Sequence, residues 1–283
     1  MKENNYTLID GKEIKANILE ELKEKVSQLK IKPGFAVIQV GNNEASNIYI
    51  KQKAKMATYI GYNYWHISFD ENITTDELLK EIEKLNNDKK VHGIMVQMPL
   101  PSHIDTSIIQ NAVIKEKDVD GLNDYNAGLL FHNKDALYSC TPYGVMELLK
   151  RYHITISGAD AVVIGRSNLV GKPMSAMLLN AGATVTTCHS KTKDLSKYTK
   201  NADILVVCVG IPNFITKDMV KENATIIDVG INRLDSGICG DVSFEEVAPK
   251  VKYITKVPGG VGPMTVAMLG TNILKAYNMQ EGK

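Results

Sequence analysis

The residues with the types and spacing for chemistry are Lys53 with Tyr49 before it, Gln97, Asp120, and the loop that begins at Gly165. Tyr49 and Lys53 stand four residues apart in a stretch that reads as a helix following the apolar run at residues 35–40. At about 100° per residue, Ile50, Ala54 and Ala57 share one apolar stripe, with Lys51 and Lys55 on the opposite side. Lys53 projects beside the stripe, on the flank of Ser46 and Tyr49. A lysine so placed either lies along the surface with its head in water or sits beneath the tyrosine, where it can exchange a proton. Gln97 ends an otherwise apolar strand, so its amide needs a partner once buried; orienting Lys53 and a plain structural hydrogen bond are both open. Asp120 precedes Gly121 and follows Asp118, a composition that by itself describes a turn.

The segment Gly165-Arg166-Ser167-Asn168-Leu169-Val170-Gly171 lies between a strand at residues 161–164 and a helix at 172–181. It departs from G-x-G-x-x-G, with Ser167 at the second glycine, and its spacing and Pro173 fail the P-loop pattern. Its place still suits a dinucleotide, because a helix N-terminus offers N–H groups and positive potential to a pyrophosphate. Where an NAD site carries an acid for the ribose 2′-hydroxyl, this chain has Cys188-His189-Ser190-Lys191. Arg166 and Ser190 suit a 2′-phosphate, so the preference reads as NADP over NAD. The glycines at 259, 260 and 262 permit close backbone approach to a flat ligand, or a strained turn.

Strands and helices must position these groups, and they alternate. A helix at residues 14–29 precedes strand-then-helix units beginning at residues 35, 64 and 91. Such alternation argues for an α/β fold with a parallel sheet, ligands lying at the C-terminal ends of the strands. Residues 123–135, rich in Asn, Asp and Gly, read as an inter-domain loop, and Thr141 reads as the cap of a helix with Pro142 at its first position. A second strand–helix pattern follows, with further strands at 184–187, 204–209 and 225–229 and a final helix opened by the glycine loop near residue 260.

The 283 residues are 44% hydrophobic and carry a net charge of +1, which gives no reason to expect nucleic acid or a membrane as a partner. No apolar run approaches the ~18 residues of a membrane span, and the polar N-terminus does not read as a signal peptide, so a cytoplasmic protein is expected. The four cysteines are widely separated and lack metal-ligand spacing, which predicts no metal and a reducing compartment.

In combination, Tyr49 with Lys53, the run His92 to Pro101 around Gln97, Lys117 to Gly121, Cys140 to Gly144, the Gly165 loop, Asp228 to Asn232, and Pro258 to Thr265 occur in order along nearly the whole chain. The chain therefore resembles the bifunctional 5,10-methylenetetrahydrofolate dehydrogenase/5,10-methenyltetrahydrofolate cyclohydrolase family. The resemblance implies two α/β domains flanking a cleft, the second a Rossmann-like NADP-binding domain. Residues 1–140 with a C-terminal helix at 264–283 would form the folate-binding catalytic domain, and 141–263 the cofactor domain. It further implies that Lys53 is the catalytic lysine, Gln97 its support, and Tyr49 a ring against the folate. Asp120 would grip the pterin, with Gly262 and Pro263 also at the substrate. Gly165, Arg166, Ser167, Ser190, Gly210 and Ile231 would contact NADP. Tetrahydrofolate derivatives as ligands, a homodimer paired through the cofactor domains, and a place in one-carbon metabolism and purine biosynthesis follow from the same resemblance. Leu122-Asn123 and Gly270, the latter interrupting the last helix, depart from the family pattern. A dehydrogenase without the hydrolytic step, another NADP oxidoreductase of the same two-domain plan such as a shikimate dehydrogenase-like protein, and a silent NADP-binding regulator are the rival readings.

Overall fold

The computed structural model describes residues 5–235 and 237–282. The chain begins with β1 (Thr7–Ile9), α1 (Gly11–Ser27), β2 (Gly34–Val40), α2 (Glu44–Ile60), β3 (Asn63–Phe69), α3 (Thr75–Asn87) and β4 (Gly93–Val96). Two shorter helices, α4 (Thr106–Ala112) and α5 (Asp124–Phe131), lead to α6 (Cys140–Arg151). Then come β5 (Asp160–Ile164), α7 (Gly171–Asn180), β6 (Thr184–Cys188), α8 (Ser196–Thr199), β7 (Ile204–Val207) and β8 (Thr225–Asp228). A hairpin of β9 (Asn232–Leu234) and β10 (Gly237–Cys239), then α9 (Phe244–Val247), β11 (Tyr253–Thr255) and α10 (Val261–Glu281), complete the order.

The chain divides into two compact units, one of residues 16–140 with 266–283 and the other of residues 1–15 with 141–265. In the first, β2 lies between β3 and β4 in a parallel three-stranded sheet. All seven residues of β2 are buried, as expected of a strand covered on both faces. Ile38 and Ile94 pack with Leu78 and Ile82 of α3. That helix opens with a capping box, in which the Thr74 hydroxyl accepts from Glu77 N and the Glu77 carboxylate accepts from Thr74 N. The second unit holds a parallel sheet in the order β1-β11-β8-β7-β5-β6, with Val162, Leu205, Ile226 and Ile254 in its core.

Several expectations are corrected. Residues 123–135 contain helix α5, because Asn123 Oδ1 accepts from Asn126 N and caps a run whose apolar members sequence composition had obscured. Helix α6 starts at Cys140, so Thr141 lies within it rather than capping it. The first residues group with the second sheet rather than the first, since β1 pairs in parallel with β11. The outermost positions of the expected domain, residues 1–4 and 283, lie outside the described residues. Gly270 does not interrupt α10. A Cβ there would come within 3.1 Å of Ile60 and Leu22 side chains, and its carbonyl accepts from the Tyr62 hydroxyl at 2.8 Å, so its small size permits close packing on α1 and α2.

Candidate active site

Lys53 belongs to the interior. Its residue is 7% exposed, and Nζ donates to Gln97 Oε1 at 2.6 Å. The Gln97 amide is fixed in turn, because its Nε2 donates to Met98 O at 2.6 Å. A glutamine held this way presents its oxygen to the lysine and leaves the lysine's other valences for a ligand. Helix α2 starts where Asn43 Oδ1 accepts from Ser46 N, and the Ser46 hydroxyl donates to Met98 O at 3.3 Å, tying the helix to the strand end that carries Gln97. Tyr49, one turn before Lys53, is 43% exposed, so its ring has a face available to a flat ligand.

Asp120 reaches the same place through the backbone. Residues 117–119 run beside β4, with Ile94 N donating to Lys117 O at 2.7 Å and Ile94 bridged to Asp118. Asp120 follows this bridge in the turn closed by Gly121 N donating to Asp118 O, and stands within electrostatic reach of Lys53. Asp118 makes the turn: its carboxylate accepts from Gly121 N, Asn123 N and Asn126 Nδ2. Asp120 is thereby left for another task. Gly121 has φ +67°, and a Cβ there would stand 2.2 Å from the Tyr138 carbonyl carbon and 2.4 Å from Ser139 N. Two backbone segments thus press flat against each other, and the second delivers Cys140.

The electrostatics of this cluster are opposed. Burial holds the Lys53 ammonium below its usual range, while the Asp120 carboxylate and, less strongly, Cys140 push its proton affinity up. Burial pushes the Asp120 carboxyl up, offset by Lys53 and by a hydrogen bond from the Cys140 thiol. The thiol itself is held well above its ordinary range by burial and by Asp120, so it stays a neutral donor.

In the other unit, the sequence-predicted cofactor residues gather at the C-terminal ends of the parallel strands: Gly165, Arg166 and Ser167 after β5, Ser190 after β6, Gly210 after β7 and Ile231 after β8. Ile164 and Cys188 are register partners, and Arg166 and Ser190 each follow two residues beyond the ends of these neighbouring strands. Both are exposed. A Cβ on Gly171 would fall 2.3 Å from Gly165 O, which fixes how closely α7 seats on the strand end. Val170 N and Gly171 N donate to Ser167 Oγ, so part of the α7 N-terminus is satisfied by the loop's own serine. Gly262 and Pro263 fall in the first turn of α10, with Gly262 beside Ile231.

Sequence reasoning missed three groups. Asn272, on α10, donates from Nδ2 to Val119 O at 2.9 Å and Tyr138 O at 2.8 Å. Asp241 is fully buried and accepts from Val209 N, Gly210 N, Ile211 N and Asn232 Nδ2, holding the loops after β7 and β8. Asp228 accepts from Gly230 N, Asp241 N and Val242 N, and burial pushes its carboxyl up to about 7. A polar residue at an apolar helix position was the available signal for Asn272; the aspartates gave none, because their partners are backbone N–H groups.

Residues 9–120 match the model for the tetrahydrofolate dehydrogenase/cyclohydrolase catalytic domain, and residues 139–281 the model for the corresponding NAD(P)-binding domain. A bifunctional protein FolD from Campylobacter jejuni is 54% identical over 275 residues, spanning 95% of this chain and 98% of its own. The crystal structure of the Campylobacter jejuni bifunctional enzyme FolD superposes with a TM-score of 0.95 at 53% identity, covering 97% of this chain and 99% of that one. The Trypanosoma brucei methylenetetrahydrofolate dehydrogenase-cyclohydrolase, solved with NADP and an inhibitor, gives 0.92 at 34% identity, covering 98% and 99%.

The close packing at Gly121 makes a stability prediction. Gly121→Ala is expected to cost at least about 2 kcal/mol, because both the positive φ and the backbone contact oppose a methyl group. Gly128→Ala, whose Cβ meets nothing within 4 Å on α5, is expected to be neutral or stabilising by up to about 1 kcal/mol. Urea denaturation of both variants measures the difference.

Proposed function

The chain belongs to the tetrahydrofolate dehydrogenase/cyclohydrolase family, and we propose that it oxidises 5,10-methylenetetrahydrofolate with NADP and hydrolyses the 5,10-methenyl product to 10-formyltetrahydrofolate. The observation that carries this reading is the buried Lys53 bonded to Gln97 at 2.6 Å with Asp120 beside it.

The unit of residues 16–140 and 266–283 holds the folate, and the other unit holds NADP. Asp120 accepts hydrogen bonds from the amino and ring N–H groups of the pterin, and Tyr49 stacks on the folate. Together they orient the carbon bridging the two folate nitrogens. Gly262 and Pro263 are assigned to the substrate on the family resemblance alone. The nicotinamide of bound NADP supplies a hydride acceptor. Arg166 and Ser190 hold the 2′-phosphate; their exposed positions just beyond the neighbouring strands β5 and β6, with no acid at the end of β6, support that assignment. Gly165, Ser167, Gly210 and Ile231 form the rest of the cradle.

Loss of hydride leaves the folate carbon as a cationic amidinium. Water adds to that carbon, and a base must take the water's proton before a C–N bond breaks and the ring opens. Neutral Lys53 is that base. Burial disfavours its ammonium, and an adjacent ligand cation pushes the same way. Gln97 accepts one N–H of the amine, which aims the lone pair at the water. The protein works as a cytoplasmic homodimer that supplies formyl groups for purine biosynthesis, a reading that rests on the family resemblance.

Two substitutions test the assignments. Lys53→Met is expected to lower methenyltetrahydrofolate hydrolysis by about 10²–10⁴-fold, as expected for loss of a general base, when decay of the methenyl absorbance is followed. Retention of full hydrolysis would remove Lys53 from the chemistry. Arg166→Ala is expected to raise the KM for NADP while leaving that for NAD nearly unchanged. Equal losses for both cofactors would take Arg166 out of the 2′-phosphate site.

A further inference from the structure

Asn272 is fully buried on α10, among the apolar Leu269, Ile273 and Ala276. Its amide carries two hydrogens, and the two carbonyls of Val119 and Tyr138, at 2.9 and 2.8 Å, take both. Cys140 Sγ lies 3.7 Å from the same nitrogen. These acceptors fix the orientation of the amide, because a flipped group would set its oxygen against two carbonyl oxygens. The amide oxygen is then buried with no partner among the described residues. A buried carbonyl without a donor is destabilising, whereas leucine would fill a similar space without that cost. The benefit of the asparagine must lie in what its nitrogen grips.

The two gripped carbonyls belong to different segments. Val119 immediately precedes Asp120, and Tyr138 lies two residues before Cys140. These are the segments pressed together at Gly121. We propose that Asn272 is a positioning residue for the reaction: by clamping the Val119 and Tyr138 carbonyls, it sets where the Asp120 carboxylate stands relative to the Lys53 amine.

This role rests on the proposed folate chemistry and acts through Asp120. The titratable groups that face Lys53 are Asp120 and Cys140, with Asp118 behind the thiol. Asp120 raises the proton affinity of Lys53, so a carboxylate that drifts away lets the lysine lose its proton at lower pH. The same drift loosens the grip on the pterin.

The experiment compares Asn272→Leu and Asn272→Ser with the wild-type protein in both assays, across pH, alongside thermal melting. In Asn272→Leu, kcat/KM for the folate substrates is expected to fall about 10- to 100-fold, the scale of a misplacement of about 1 Å. The KM for NADP is expected to stay unchanged, and the acid limb of the hydrolysis profile to move to lower pH. Asn272→Ser, which keeps one hydroxyl donor, is expected to lie between leucine and wild type. A purely structural role would lower the melting temperature and leave both the folate KM and the acid limb as in wild type; that result overturns the proposal. Should Asn272→Leu fail to fold, Asn272→Ser decides by the same criteria. A wild-type protein silent in both assays would refute the function itself, whereas an active wild type beside an unaltered variant refutes only the role of Asn272.

Discussion

The catalytic unit depends on one buried contact, the 2.6 Å hydrogen bond from Lys53 to Gln97. A lysine taken out of water loses proton affinity, and a carboxylate beside it restores some. Lys53 experiences both effects, with burial the larger. In the proposed hydrolysis the base for water must be neutral when substrate is present, yet the carboxylate proposed to hold the pterin has to stay close. The site reconciles these demands by holding Asp120 within electrostatic reach while Gln97, not Asp120, takes the lysine's hydrogen bond.

Much of the surrounding structure serves to keep these groups still. Ser46 and Gln97 meet on Met98 O, Asp118 closes the turn so that Asp120 need not, and Gly121 lets two backbones touch. The cofactor unit uses a related device. Asp241 and Asp228 are buried carboxylates held by backbone N–H groups, not by cations, and they shape the loops after β7 and β8. Carboxylates of this kind set backbone geometry through several short bonds at once, at the expense of desolvation, which is why the Asp228 carboxyl is pushed up to about 7.

Much of this was legible in the sequence for physical reasons. The flank of Lys53 on α2 follows from helical periodicity, and the parallel strands follow from their continuous apolar runs. Gln97 was marked by being polar at the end of such a run. The nearness of Asp120 was not legible, because it depends on a segment bridging to β4 outside any regular strand. Helix α5 was hidden by a composition of turn residues that its cap and tertiary setting override. Strand β1 was too short to announce itself, and its partner β11 lies more than 240 positions away in sequence. Asp228 and Asp241 act mainly on backbone N–H groups, which carry no sequence signature of their own, and Asn272 was marked only as a polar residue at an apolar helix position.

Burial keeps Lys53 ready to be neutral while Asp120 opposes it. The most direct test is titration of the Lys53 Nζ by nitrogen NMR in the wild-type protein and in Asp120→Asn. Burial should put the wild-type pKa below the ordinary lysine value of 10.5, and removing the carboxylate should lower it further. A wild-type value at or above 10.5, or a value that rises in Asp120→Asn, would contradict it.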